Sequence, residues 1–191
     1  PDSSPLRITT DKEFCGQFRV VDESLVDNDE NRGLANVIAY LYLGRSDDPP
    51  KPHPSYESSA GDKVLLDNNK CRFAPHVVLL RTSQTLVIGN SDKVGHNCKV
   101  DTFANTPINY TIPAGGDYEH RFALAERLPC RVSCSIHPWM SGWLLIKNHP
   151  YMAKSDENGK LVIKDLPAGD WTIQFWHEKA GYISEVTQGG E

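Results

Sequence analysis

Apolar residues fall along this chain in short runs rather than at helical intervals. Gln17–Val21, Asn36–Leu43, His76–Arg81, Thr85–Gly89, Arg131–Ser133, Trp143–Lys147, Lys160–Lys164 and Asp170–Trp176 are rich in Val, Ile, Leu or aromatic residues and are separated by clusters of Gly, Pro, Asn and Asp. Runs of this length bounded by turn residues predict β-strands. Thirteen prolines and 14 glycines interrupt nearly every window in which an amphipathic helix of three turns would run. Asp11–Phe14 and Leu124–Leu128 are the two short helical candidates, so the chain reads as all-β. Asp47–Gly61, with Pro49, Pro50, Pro52 and Pro54, is a long irregular connection, and Asn148-His149-Pro150 ends the strand before it. One coherent stretch lies between these two breaks.

The composition narrows the classes. Of 191 residues, 39% are hydrophobic and 24% charged, which is globular rather than disordered. Twenty Lys plus Arg against 25 Asp plus Glu give a formal charge of -5 with no basic run, so nucleic acid is not an expected partner. The longest apolar stretches, Val77–Leu80 and Trp143–Ile146, fall far short of the roughly 20 residues of a membrane-spanning helix. Pro1–Pro5 lacks the basic-then-apolar pattern of an export signal, which decides nothing because a mature chain has already lost its signal. The five cysteines, Cys15, Cys71, Cys98, Cys130 and Cys134, are an odd number, so disulfides use at most four and one thiol is left for other work.

Val132 to Gly142 is the most informative run. Cys134, His137 and Met140 present a thiolate, an imidazole and a thioether at the spacing C-x2-H-x2-M, in a loop that leaves one strand at Cys134 and enters another near Gly142. A blue copper site uses two imidazoles, one thiolate and a weak axial thioether, so a second histidine is required from elsewhere. His96, in the polar turn Asn90–Asn97 that follows the Thr85–Gly89 strand, is the candidate.

The run Cys-x-x-His-Pro-aromatic-Met-x-Gly at Cys134–Gly142, preceded by His96-Asn97 and by Phe73-Ala74-Pro75 before an apolar strand, resembles the cupredoxins. The short Cys-to-Met loop looks more like that of amicyanins than the longer loops of plastocyanins or azurins. The resemblance covers residues 60–147 and implies a Greek-key β-sandwich holding one type 1 copper ion between His96, Cys134, His137 and Met140. It also implies that hydrogen bonds from the Asn97 and Ser135 segments tie the two ligand loops together. His137, Pro138 and Trp139 are expected at an apolar end where the exposed imidazole passes electrons to a partner. Cys98 paired with Cys130 and Cys15 with Cys71 is the preferred choice among the three pairings open to four cysteines, and it leaves Cys134 free, as a copper ligand requires.

The flanks, residues 15–46 and 148–187, carry a different likeness. Ser155-Asp156-Glu157-Asn158-Gly159 offers a tight turn and Leu166-Pro167-Ala168-Gly169 a second, each followed by an alternating stretch, and Gly33-Leu34-Ala35-Asn36-Val37 precedes a strand. This resembles a transthyretin-like or carboxypeptidase-regulatory-like β-sandwich module, interrupted by the copper domain. One enlarged sandwich is the alternative architecture.

The function implied is that of an exported blue copper protein, periplasmic or at the cell surface. It would carry single electrons between redox proteins such as a c-type cytochrome or a dehydrogenase, and is not expected to be an enzyme. The same ligands would serve copper storage or delivery, and a structural or adhesive sandwich with a vestigial site is the reading from another class. Cys71 with His76 is the weaker candidate for a second soft site, against a disulfide and a core histidine. His177 reads as structural, and His53, His120 and His149 as surface residues. No Ser-His-Asp signature, phosphate-binding glycine loop or zinc spacing is present.

Overall fold

A computed structural model of the chain describes residues 4–44 and 47–183, so the parts of the flanking module at 45–46 and 184–187 lie outside the described residues. A short helix α1 (Lys12–Cys15) comes first. The strands follow as β1 (Ile38–Leu41), β2 (Lys63–Asn68), β3 (Phe73–Ala74), β4 (Val77–Arg81), β5 (Thr85–Asn90) and β6 (His96–Asp101). After them come β7 (Ile108–Ile112), β8 (Asp117–His120), β9 (Cys130–Ser133), β10 (Ser141–Lys147), β11 (Met152–Lys154), β12 (Ile173–His177) and β13 (Gly181–Ile183). The protein is all-β, as its hydrophobic runs predict.

Two compact units are present. Described residues up to Asp22 join Tyr56–Pro150 in one, and Glu23–Ser55 joins the chain from Tyr151 onward in the other. Residues 15–22 and 148–150, read from the sequence with the flanking module, lie in the larger unit, where Cys15 is bridged to Cys71.

The larger unit is a sandwich of a five-stranded sheet, β4-β10-β9-β6-β7, and a four-stranded sheet, β3-β2-β5-β8. β4 runs parallel to β10 and β2 parallel to β5, while the remaining pairs are antiparallel. Leu66, Leu86 and Ile88 from one sheet meet Leu80, Val100, Val132 and Leu144 from the other in a single apolar core that also takes in Cys98, Cys134 and Met140. The smaller unit holds the sheet β11-β1-β12-β13, whose β1 is buried at every position.

Three predicted elements are absent. Gln17–Val21 makes only an isolated bridge, Pro5 to Val21. Lys160–Lys164 keeps its alternation, with Leu161 and Ile163 half-buried and Val162 and Lys164 exposed, but has no ladder partner among the described residues. Leu124–Leu128 is no helix, because Glu126 is fixed from both ends. Its N–H donates to the Ile146 carbonyl at 2.9 Å, and its carboxylate accepts from the backbone N–H groups of Phe103, Ala104 and Asn105. Strands β2, β6, β7 and β8 were hidden by polar residues on their outer faces, as in the buried and exposed alternation of Ile108–Ile112.

Candidate metal centre

Two strand ends build the site. β6 opens at His96, and residues 134–140 form the loop between β9 and β10. The loop is closed by its own backbone, with Met140 N–H donating to the His137 carbonyl at 2.9 Å and Cys134 N–H to the Met140 carbonyl at 3.4 Å. Gly142 lets β10 lie against the residue that leads into β4, since a Cβ there would stand 2.8 Å from the His76 carbonyl. The Asn97 side chain joins the two strand ends, its Oδ1 accepting from Ser135 N–H at 2.5 Å and Ile136 N–H at 3.3 Å.

One donor atom each from His96, Cys134 and His137 lies within 4.8 Å of the others, and all three residues are buried. The Cys134 sulfur accepts the Asn97 and His137 N–H groups, both at 3.4 Å, and His137 Nδ1 stands 3.8 Å from it. Met140 is buried in the same core cluster. Each imidazole has its outer nitrogen on a carboxylate: His96 Nε2 on Asp92 at 2.9 Å and His137 Nε2 on Asp11 at 2.8 Å. That contact fixes ring orientation and turns Nδ1 inward, the role outer partners play at metal-binding histidines. His96 Nδ1 is buried and has no hydrogen-bond partner, a donor set aside for something other than the protein.

The electrostatics favour a charged sulfur. Burial pushes the Cys134 thiol up, but the nearby His96 imidazole and the hydrogen bonds from the Asn97 and His137 N–H groups outweigh it, leaving it below the usual thiol range. Burial lowers His96, yet the hydrogen bond to Asp92 and the nearby Cys134 sulfur lift it to about 9. Desolvation leads at His137, and repulsion from His96 adds to it, holding that imidazole below its ordinary value against the pull of Asp11. A buried cysteine sulfur with two imidazole nitrogens beside it is a soft donor set suited to copper, and these groups fit such an ion.

No protein-family model and no curated protein matches the chain. Among solved structures it is similar to a copper-containing nitrite reductase from Thermus scotoductus, at 20% identity and TM-score 0.40, over 56% of this chain and 25% of that one. It is also similar to an amicyanin variant in the Cu(I) state, at 15% identity and TM-score 0.39, over 44% of this chain and 82% of that one. A purple cupredoxin from Nitrosopumilus maritimus matches at 21% identity and TM-score 0.37, over 45% of this chain and 99% of that one. The chain thus spans a quarter of the nitrite reductase's length. At these values the likenesses decide nothing about the chemistry, which stands on the donor atoms above.

The structure alters several expectations. Cys15 and Cys71 are bridged, but Cys98, Cys130 and Cys134 are free and buried. Cys98 and Cys130 cannot pair, because β6 and β9 align Lys99 with Ser133 and Asp101 with Arg131. That register sets Cys98 beside Cys134 and leaves Cys130 four residues away, about 13 Å along the ladder. Burial, with the nearby Cys134 charge, pushes Cys98 up to about 12, so it stays a neutral thiol.

The expected exposed imidazole is also absent. His137 is 0% exposed, since Asp11 and the segment around it cover its outer edge, while Pro138 remains exposed and Trp139 is half-buried. Cys71, being oxidised, is withdrawn from a second soft site with His76 and from the cluster it forms with Asp92 and His96. His149 is buried, not superficial, because the turn after β10 exposes only Asn148. Sequence reasoning missed Asp11 and Asp92. Asp92 had a legible signal four residues before His96, whereas Asp11 lies 126 positions from His137 and had none.

Proposed function

We propose that the protein is an exported type 1 copper protein that carries single electrons, with His96, Cys134, His137 and Met140 as its ligands. The observation that supports this most is the convergence of two imidazoles and a thiol in a buried cluster, with His96 Nδ1 satisfied by no protein group among the described residues. Copper held there would supply a one-electron couple between Cu(I) and Cu(II) in a geometry that suits both states. The chain's own part is to keep that geometry still. Asp92 and Asp11 orient the imidazoles, two N–H groups stabilise the Cys134 sulfur, and Asn97 ties the strand ends together. The Cys15–Cys71 bridge supports an oxidising compartment. No helix among the described residues is long and apolar enough to cross a membrane.

The test is Cu(II) addition to purified protein, followed by visible and electron paramagnetic resonance spectra and by voltammetry. An intense sulfur-to-copper band with narrow hyperfine splitting and a reversible couple is expected, with the band lost in Cys134→Ala. Tight Cu(I) binding without a reversible couple would instead point to storage or delivery. Absence of any band and of any Cu(I) binding in the protein pretreated with reductant would refute a copper function.

A further inference from the structure

The segment before Asp22 does something that a sandwich of this size does not require. Residues 5–21 form a strap, closed by the Pro5–Val21 bridge and by Leu6 N–H donating to the Val20 carbonyl at 2.8 Å. Its apolar residues Leu6, Phe14 and Phe18 pack with Trp139 of the ligand loop around the Cys15–Cys71 bridge. Its tip reaches the ligand loop twice more: Thr10 Oγ1 donates to the Ile136 carbonyl at 2.9 Å, and Asp11 Oδ2 accepts from His137 Nε2 at 2.8 Å.

The same bridge touches the other imidazole. Cys71 N–H and Lys70 N–H donate to the Asp92 carboxylate at 2.8 Å and 2.6 Å, and that carboxylate holds His96 Nε2. On the strap side, Cys15 N–H donates to the Asp11 carbonyl at 2.8 Å. One covalent link therefore joins two arms, each ending in a carboxylate on one imidazole. Asp11 takes a left-handed conformation, φ 45°, at the tip, which a short polar side chain tolerates better than a bulky one.

We propose that this strap is a built-in cover of the metal centre: Asp11 positions His137, the Cys15–Cys71 bridge couples that arm to the Asp92 arm on His96, and an ion passes only when the strap lifts. The apolar end that an open centre would present to a redox partner is occupied by the chain's own residues 5–21. A partner protein then exchanges electrons across the strap and not by contact with the imidazole. This rests on the copper reading above, and the experiment separates the two.

The metal-free protein is treated with diethyl pyrocarbonate, which acylates accessible imidazole nitrogens, and the modified peptides are quantified by mass spectrometry. His53, whose side chain is 52% exposed, serves as the internal control. His137 is expected to resist in wild type and to approach the His53 rate in Thr10→Val/Asp11→Ala, which keeps the bridge and the apolar cluster. Cys15→Ser/Cys71→Ser frees the strap from its other end and is expected to do the same.

Apo protein mixed with Cu(II) should develop its visible band at least tenfold faster in both strap variants than in wild type, and lose copper faster to a chelator. Asp11→Asn should move the midpoint potential positive, since removing a negative charge beside the ion disfavours Cu(II). Equal acylation and equal uptake rates in wild type and both variants would overturn the cover and with it the positioning of His137 by Asp11, and an unmoved potential in Asp11→Asn would overturn the placing of the Asp11 charge beside the ion. A wild type that binds no copper would sink the function proposed above, while the acylation result would still decide whether residues 5–21 shield His137.

Discussion

Glu126 shows how one residue sets a connection that hydrophobic periodicity misreads. It is 1% exposed, yet its carboxylate is satisfied by three backbone N–H groups and the Asn105 amide, and Lys147 Nζ donates to its carbonyl at 2.8 Å. Burial would raise its titration, but those hydrogen bonds win and hold it below the ordinary glutamate range. A carboxyl depressed by folding contributes stability that is complete above its unfolded value and is lost as pH falls through its folded one. Glu126→Gln is expected to cost on the order of 2 kcal/mol at neutral pH in a urea melt. The variant should also lose less than wild type on acidification from roughly pH 5 to pH 3. Equal acid sensitivity in the two proteins would refute that account. Asp92 works by similar means, its carboxylate held down despite burial by His96 and the Cys71 and Lys70 N–H groups. The spacing Asp92 to His96 was readable in advance, though not the two N–H groups that complete the carboxylate's shell.

At the scale of elements, the site depends on two strand ends being held in register. Asn97 is the link: its Oδ1 accepts from the loop after β9 and its Nδ2 donates to Asn109 Oδ1 on β7 at 2.5 Å. Asn97→Ala leaves the Ser135 and Ile136 N–H groups without that acceptor, at a cost of about 1 to 3 kcal/mol. Thermal melts should show the loss in the metal-free protein, and chelator challenge should show faster release from the loaded one. The sequence carried this link as part of a family likeness, because the contacts of Asn97 reach a neighbouring strand and a loop that have no local signature around it. The polar faces of β7 and β8 hid those strands for a related reason. Tyr110 and Tyr118 stack with ring centroids 3.8 Å apart, a contact between strands of different sheets that no alternation pattern announces.

At the scale of the whole molecule, the Cys15–Cys71 bridge closes a sequence separation of 56 residues and fastens the strap to the larger unit. In the chain-entropy description a loop of that length contributes about 4 kcal/mol, so Cys15→Ser/Cys71→Ser should lower the free energy of unfolding by roughly that amount. An equilibrium melt of that unit checks it, and a change below about 1 kcal/mol would contradict it. What the sequence alone determined was local: an all-β chain from its short apolar runs, and Cys134, His137 and Met140 within one loop, because a few residues of backbone span only some 3.3 Å each. The tertiary structure decided which cysteines meet, since the β6–β9 register keeps Cys130 away from Cys98 and places Cys98 beside Cys134. It also decided that His137 is covered, because Asp11 arrives from 126 positions away along a path set by packing and a covalent bridge, over which chain spacing has no hold.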